Sequence, residues 1–176
     1  VAPCGGGPPA GRRRRTLAVV WTIAFSRAAA WLERCSCTKA VTIASTTMAA
    51  MTTALLCQLE QGDHVVAARA AFGSCRWLTD TLLPKFGIET TTIDSRDNAQ
   101  WEAAIRPNTK VFFFETPANP TMDIVDMAFV CGLAKAHGIT TVVDNAFSTS
   151  ALQRPMDFGA DVVAYSATKM MTGRAV

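Results

Sequence analysis

From about residue 46 onward, apolar and polar positions fall into two alternating rhythms. Thr46 to Glu60 sets Met48, Met51, Leu55 and Leu59 near a 3.6-residue period, which predicts a helix. Gly62-Asp63 breaks it, and His64 to Ala68 reads as a strand. Ser74 stands where it would cap a helix running to about Leu83, closed by Pro84 and Gly87. The β-branched run Ile88 to Ile93 predicts another strand, and Asp97 a cap for a short helix around Trp101 to Ile105. After the turn Arg106-Pro107-Asn108, Val111 to Phe114 leaves no solvent face and predicts a buried strand. Asp126 opens a helix with Phe129, Val130, Leu133 and Ala134 on one side, which Gly138 ends. Thr141-Val142-Val143 and Val162-Val163 mark two further short strands.

Strands alternating with helices predict an α/β fold, a mostly parallel sheet with helices on both faces. No internal repeat interrupts the order. No G-x-G-x-x-G or G-K-[ST] follows any strand, which argues against dinucleotide and nucleotide sites.

Each of the last two strands ends in polar groups that packing does not require. Asp144 follows the first, and Ser166, Thr168 and Lys169 follow the second. Singly, such an Asp is more often a cap and such a Lys a solvated side chain. Together they bring an anion, a cation and two hydroxyls to the carboxyl edge of a parallel sheet, where ligands bind. That set suits a cofactor with a basic ring nitrogen, an aldehyde and a phosphate. Pyridoxal 5'-phosphate (PLP) is such a molecule: lysine takes the aldehyde, a carboxylate the ring nitrogen, and hydroxyls and backbone N–H groups the phosphate.

The chain's 176 residues suit one domain, and 49% hydrophobic with 18% charged residues fits a globular class. The net charge of +3 is outweighed by Arg12 to Arg15, so the remainder is near neutral and no nucleic-acid partner is expected. Cysteines at 4, 35, 37, 57, 75 and 131 form no C-x-x-C pair, and His64 and His137 are the sole imidazoles. Neither a metal site nor a disulfide scaffold is expected, and reduced thiols fit a cytoplasmic protein. Residues 1–44 are set apart as an atypical segment, Gly-, Pro- and Arg-rich at its start, disordered or foreign to the rest. Its apolar run Thr16 to Phe25 is too short to cross a membrane, although with its flanks it imitates a secretory signal.

Four separated motifs carry a resemblance: Phe72 to Trp77 (FGSCRW), Phe112 to Thr121 (FFFETPANPT), Val142 to Pro155 (VVDNAFSTSALQRP) and Gly159 to Lys169 (GADVVAYSATK). With them, the stretch from about Met48 to Lys169 resembles the cystathionine-synthase-like family of PLP enzymes, and within it the sulfhydrylases. The resemblance implies the large domain of an aspartate-aminotransferase-type (fold type I) enzyme over residues 45–176, without the family's small C-terminal domain. It implies that Lys169 holds the cofactor as a Schiff base and later shuttles protons, and that Asp144 pairs with the pyridine nitrogen. Phe72 matches the aromatic residue stacked on the ring, and Asn119 the residue near its phenolic oxygen. Ser166 and Thr168 match phosphate-binding hydroxyls.

The family's Ser-Gly-Met phosphate turn falls at Thr46-Thr47-Met48, so Thr47 stands in place of a glycine that admits close backbone approach. The family's tyrosine-x-arginine element finds Phe25-Ser26-Arg27, which keeps Arg27 and lacks the phenol. The implied activity is γ-replacement on an O-acylhomoserine, with O-succinylhomoserine and sulfide (or cysteine in synthase variants) as substrates, in methionine biosynthesis. The alternatives are cystathionine synthesis or γ- or β-elimination, and a truncated, inactive fragment. A homo-oligomer, a tetramer in the family, completes the expectation.

Overall fold

A computed structural model describes residues 17–21, 41–44, 47–166 and 169. Seven strands form one sheet: β1 (Leu17–Trp21), β2 (Val41–Ala44), β3 (His64–Ala68), β4 (Glu89–Ile93), β5 (Thr109–Glu115), β6 (Thr140–Asp144) and β7 (Val162–Ser166). Their order is β2-β1-β7-β6-β5-β3-β4, and every neighbouring pair is parallel. The helices are α1 (Thr47–Leu56), α2 (Gly73–Trp77), α3 (Leu83–Lys85), α4 (Asn98–Ala103), α5 (Met127–His137) and α6 (Thr149–Leu152).

Strand periodicity assigns the two faces. Val65, Ala67, Val111, Phe113, Val142, Val162 and Ala164 join one core with Ala50, Met51, Ala54 and Leu55 of α1 and Cys75 of α2. Their neighbours Val66, Ala68, Phe112, Phe114, Val143, Val163 and Tyr165 join the other with Trp101 of α4 and Val130, Cys131 and Ala134 of α5. Helices therefore cover both faces, which is why these strands read as continuous apolar runs. The direction of travel decides which face each helix takes. From β3 the chain moves outward to β4 through α2; from β5 it moves the opposite way to β6 through α5. A right-handed crossover in opposite directions puts the two helices on opposite faces. The sheet's switch point thus lies between β3 and β5.

The caps at Asp97 and Asp126 form as the sequence predicts, accepting hydrogen bonds from Ala99 N–H and Phe129 N–H, both at 3.0 Å. Gly138, at φ 73°, ends α5 in the left-handed conformation that glycine enters without a Cβ clash.

Three local expectations are corrected. The first helix ends at Leu56 rather than Glu60. Ser74 does not cap: α2 begins one residue before it, with Phe72 at the cap position. Pro84 does not close the helical segment, which continues from α2 through a π-helical turn, Leu78–Leu82, into α3. Proline has no N–H to give the carbonyl four residues back, and Leu83 N–H bonds Leu78 O, five residues back. The sequence reading also names no strand before His64, whereas β1 lies inside the sheet between β2 and β7.

Candidate functional site

At the carboxyl end of β6, Asp144 is aligned with Glu115 of β5 on one side and Ala164 of β7 on the other. Glu115 and Asp144 keep the parity of Phe113 and Val142, so both carboxylates point to the face covered by α1 and α2. Ser166, two residues past Ala164, has the same parity and is buried. The polar residues that end β5, β6 and β7 therefore lie on one face at one edge of the sheet, a consequence of the all-parallel register.

Asp144 is 4% exposed, yet its carboxylate has few partners. Oδ1 accepts Ala146 N–H at 3.0 Å, and Oδ2 lies 3.9 Å from the Cys75 Sγ on α2. Among the described residues it forms no ion pair. Burial, reinforced by the neighbouring Glu115 charge, pushes its carboxyl up to about 7. Glu115, equally buried, is also raised by burial, but backbone N–H donors from Phe72 (2.7 Å to Oε2) and Asn119 oppose the shift. Burial raises the Cys75 thiol as well, with both carboxylates adding to it.

Most of the other residues singled out in the sequence lie on or beside α1 and α2 and in the loops after β5 and β7. Phe72 sits at the start of α2 with 45% of its surface exposed at the sheet edge. Asn119 lies half-buried in the loop after β5. Thr47 is the first residue of α1, and Met48 packs half-buried on the core of the same face. Lys169 is exposed, three residues past the end of β7. Thr168 and Arg27 lie outside the described residues.

Several contributors gave no signal in the sequence reading. Glu115 and Cys75 sit within recognised motifs, but only strand order reveals that they adjoin Asp144. The loops are fixed by a second group of residues. Asn145 Nδ2 donates to Thr149 O (3.1 Å) and Gln153 O (2.9 Å), while Gln153 Nε2 donates to Asn145 Oδ1 (2.8 Å) and Thr116 O (2.7 Å). This network ties the loop after β6 to the loop after β5. It also holds Thr149 at φ 56°, a left-handed conformation costly for a β-branched residue. His64 lies at the opposite edge, where Thr109 and Thr91 hydroxyls sit 2.8 Å from its two ring nitrogens.

The donor set fits PLP. A buried carboxylate without a cation, beside a second carboxylate, gains most from a protonated ring nitrogen that neutralises it. Phe72, whose N–H bonds Glu115, offers an exposed aromatic ring at the same end of the sheet, and Lys169 an exposed amine after β7. A buried edge without an available carboxylate would not fit such a ring.

Residues 22–176 match the family model for Cys/Met metabolism PLP-dependent enzymes. A cystathionine beta-lyase of Bacillus subtilis is 46% identical over 131 residues, covering 74% of this chain and 33% of the relative. An O-succinylhomoserine sulfhydrylase of Mycobacterium tuberculosis is 46% identical over 127 residues, covering 72% of this chain and 31% of the relative. Among solved structures, one assigned as an O-acetylhomoserine (thiol)-lyase from Campylobacter jejuni, with a pyridoxyl-lysine monophosphate residue, superposes with a TM-score of 0.72. Its identity is 33%, over 75% of this chain and 33% of that one. The chain spans about a third of the length of these relatives.

Proposed function

Since the chain belongs to the Cys/Met metabolism PLP-dependent enzyme family, we propose that it carries the cofactor site of an enzyme performing γ-replacement on an O-acylhomoserine. In that reaction the Cγ–O bond of O-succinylhomoserine breaks, sulfide forms the new Cγ–S bond, and homocysteine and succinate leave. The observation that supports a PLP site is the buried Asp144 carboxylate at the carboxyl edge of the sheet, which forms no ion pair among the described residues.

When bound, PLP supplies the electron sink that lets an amino acid lose its Cα proton. Asp144 would pair with a protonated ring nitrogen, the partner that best offsets the burial of its charge. Phe72 would stack on one face of the ring and keep water from it. Asn119 would face the phenolic oxygen. Ser166 and Thr168 would donate to the phosphate, and the first N–H groups of α1 at Thr47 and Met48, with Arg27, would be further anion ligands. Lys169 Nζ would hold the cofactor's aldehyde and, once released, would serve as the base for the substrate's Cα proton. The proposed enzyme is a cytoplasmic homo-oligomer acting on small molecules. Among the described residues, no helix is long and apolar enough to cross a membrane.

The equal identity to a cystathionine beta-lyase favours elimination as a second reading. The motif resemblance to the sulfhydrylases supports replacement as the first reading. Assaying the PLP-loaded protein with O-succinylhomoserine and sulfide, and separately with cystathionine, separates the two. Homocysteine and succinate in equal amounts from the first assay are the expected result. Pyruvate and ammonia from cystathionine, with no sulfide-dependent homocysteine, would establish elimination instead.

A further inference from the structure

Glu115 is left over by the roles above, yet it is buried at the edge and bonded to the backbone of another motif. It is buried at the end of β5, aligned across the strand pair with Asp144. Its Oε2 accepts the Phe72 N–H at 2.7 Å, a short charge-assisted bond. Phe72 is the cap residue of α2 and receives no side-chain cap of its own. Glu115 therefore lies at the positive end of the helical segment, where a carboxylate is favoured. The Asn119 N–H, four residues further along its own chain, also faces it, with a smaller effect on its charge than Phe72 N–H. One side chain thus spans the two sides of the switch point, from the loop after β3 to the loop after β5.

We propose that Glu115 is a positioning residue for the cofactor: its carboxylate clamps the backbone of Phe72 and of Asn119 and places a fixed negative charge beside Asp144. This rests on the reading of the edge as a PLP site. The clamp fixes the aromatic face and the loop on which Asn119 sits relative to the Asp144 carboxylate. Without it, Phe72 keeps its ring but loses the bond that sets where α2 begins. The charge acts separately from the clamp. Glu115 has two N–H donors where Asp144 has one, so in the pair Glu115 is the member better able to stay ionised, while Asp144 holds a proton until a cation arrives. The groups facing Glu115 are Asp144 on β6 and Cys75 on α2; the loop from Thr116 to Pro120 brings no charge.

Carboxyl carbon NMR of the chain without PLP tests the charge, and visible circular dichroism of the PLP-loaded chain tests the clamp. Glu115→Gln should lower the Asp144 midpoint by roughly one unit or more, because a like charge has gone. Glu115→Asp should restore the raised midpoint, a rescue that mere packing would not give. In the unsubstituted chain, the Phe72 and Asn119 amide signals should shift together as Glu115 titrates, which decides the clamp even if Glu115→Gln fails to fold. In the loaded chain, Glu115→Gln should still attach pyridoxal phosphate at Lys169 but lose most of its visible dichroism. An unchanged Asp144 midpoint with unchanged dichroism in Glu115→Gln, or independent Phe72 and Asn119 titrations, overturns the proposal. Failure of the unsubstituted chain to attach PLP at Lys169 overturns the cofactor reading itself, and is told apart by that one observation.

Discussion

Asp144 shows how one residue can cost the fold something and serve the site. A carboxyl raised from 3.8 to about 7 binds its proton more tightly folded than unfolded. Stability is therefore greatest below the unfolded value and falls as pH rises through the window up to about 7. The loss is on the order of a few kcal/mol once the group is fully ionised. Asp144→Asn should then raise the urea midpoint of the unloaded chain at pH 8 and change it little at pH 5. Equal effects at both pH values would show that Asp144 is not held protonated by its surroundings. The same substitution should lower turnover of the loaded enzyme by about 10²-fold or more, since the ring nitrogen loses its counter-charge. Residue chemistry at strand ends was legible: an Asp and a Lys after β-branched runs have no packing role to explain them. Glu115 was not, because a Glu after an apolar strand reads as solvated until its cross-strand neighbour is known.

Among the elements, caps and glycine stops were legible because they act within four residues. Asp97, Asp126 and Gly138 needed no tertiary information. Ser74 misled because the bond that fixes the start of α2 comes from Glu115, 43 residues away, rather than from a local hydroxyl. The π turn before Pro84 was equally hidden, since proline marks a missing donor without saying how the helix accommodates it. β1 was missed because a short apolar run without periodicity fits strand, helix or signal segment alike. The Asn145–Gln153 network belongs to this scale too. Asn145→Ala would strip a hydrogen bond from the Thr149 and Gln153 carbonyls and from Gln153 Nε2, at a cost of about 2–3 kcal/mol. A denaturant midpoint within error of the parent protein would mean that water replaces these bonds and that the two loops are not tied together.

For the whole molecule, the parallel sheet does the assembling. Every strand's carboxyl end lies on one edge, so residues from four separated motifs converge without any of them being near in sequence. The switch point between β3 and β5 opens that edge, and α1 and α2 cover the face on which Asp144, Glu115 and Ser166 point. Fold class was therefore readable from alternation alone, while the order of strands, and with it the pairing of the two carboxylates, was not.

The most direct test of the account is where pyridoxal phosphate becomes attached. The chain is loaded with the cofactor, reduced with borohydride, digested and mapped by mass spectrometry. The account predicts a single pyridoxyl group on Lys169, lost in Lys169→Ala, with Lys39, Lys85, Lys110 and Lys135 unmodified. Attachment at one of those four lysines instead, or equal labelling of Lys169→Ala, would contradict it.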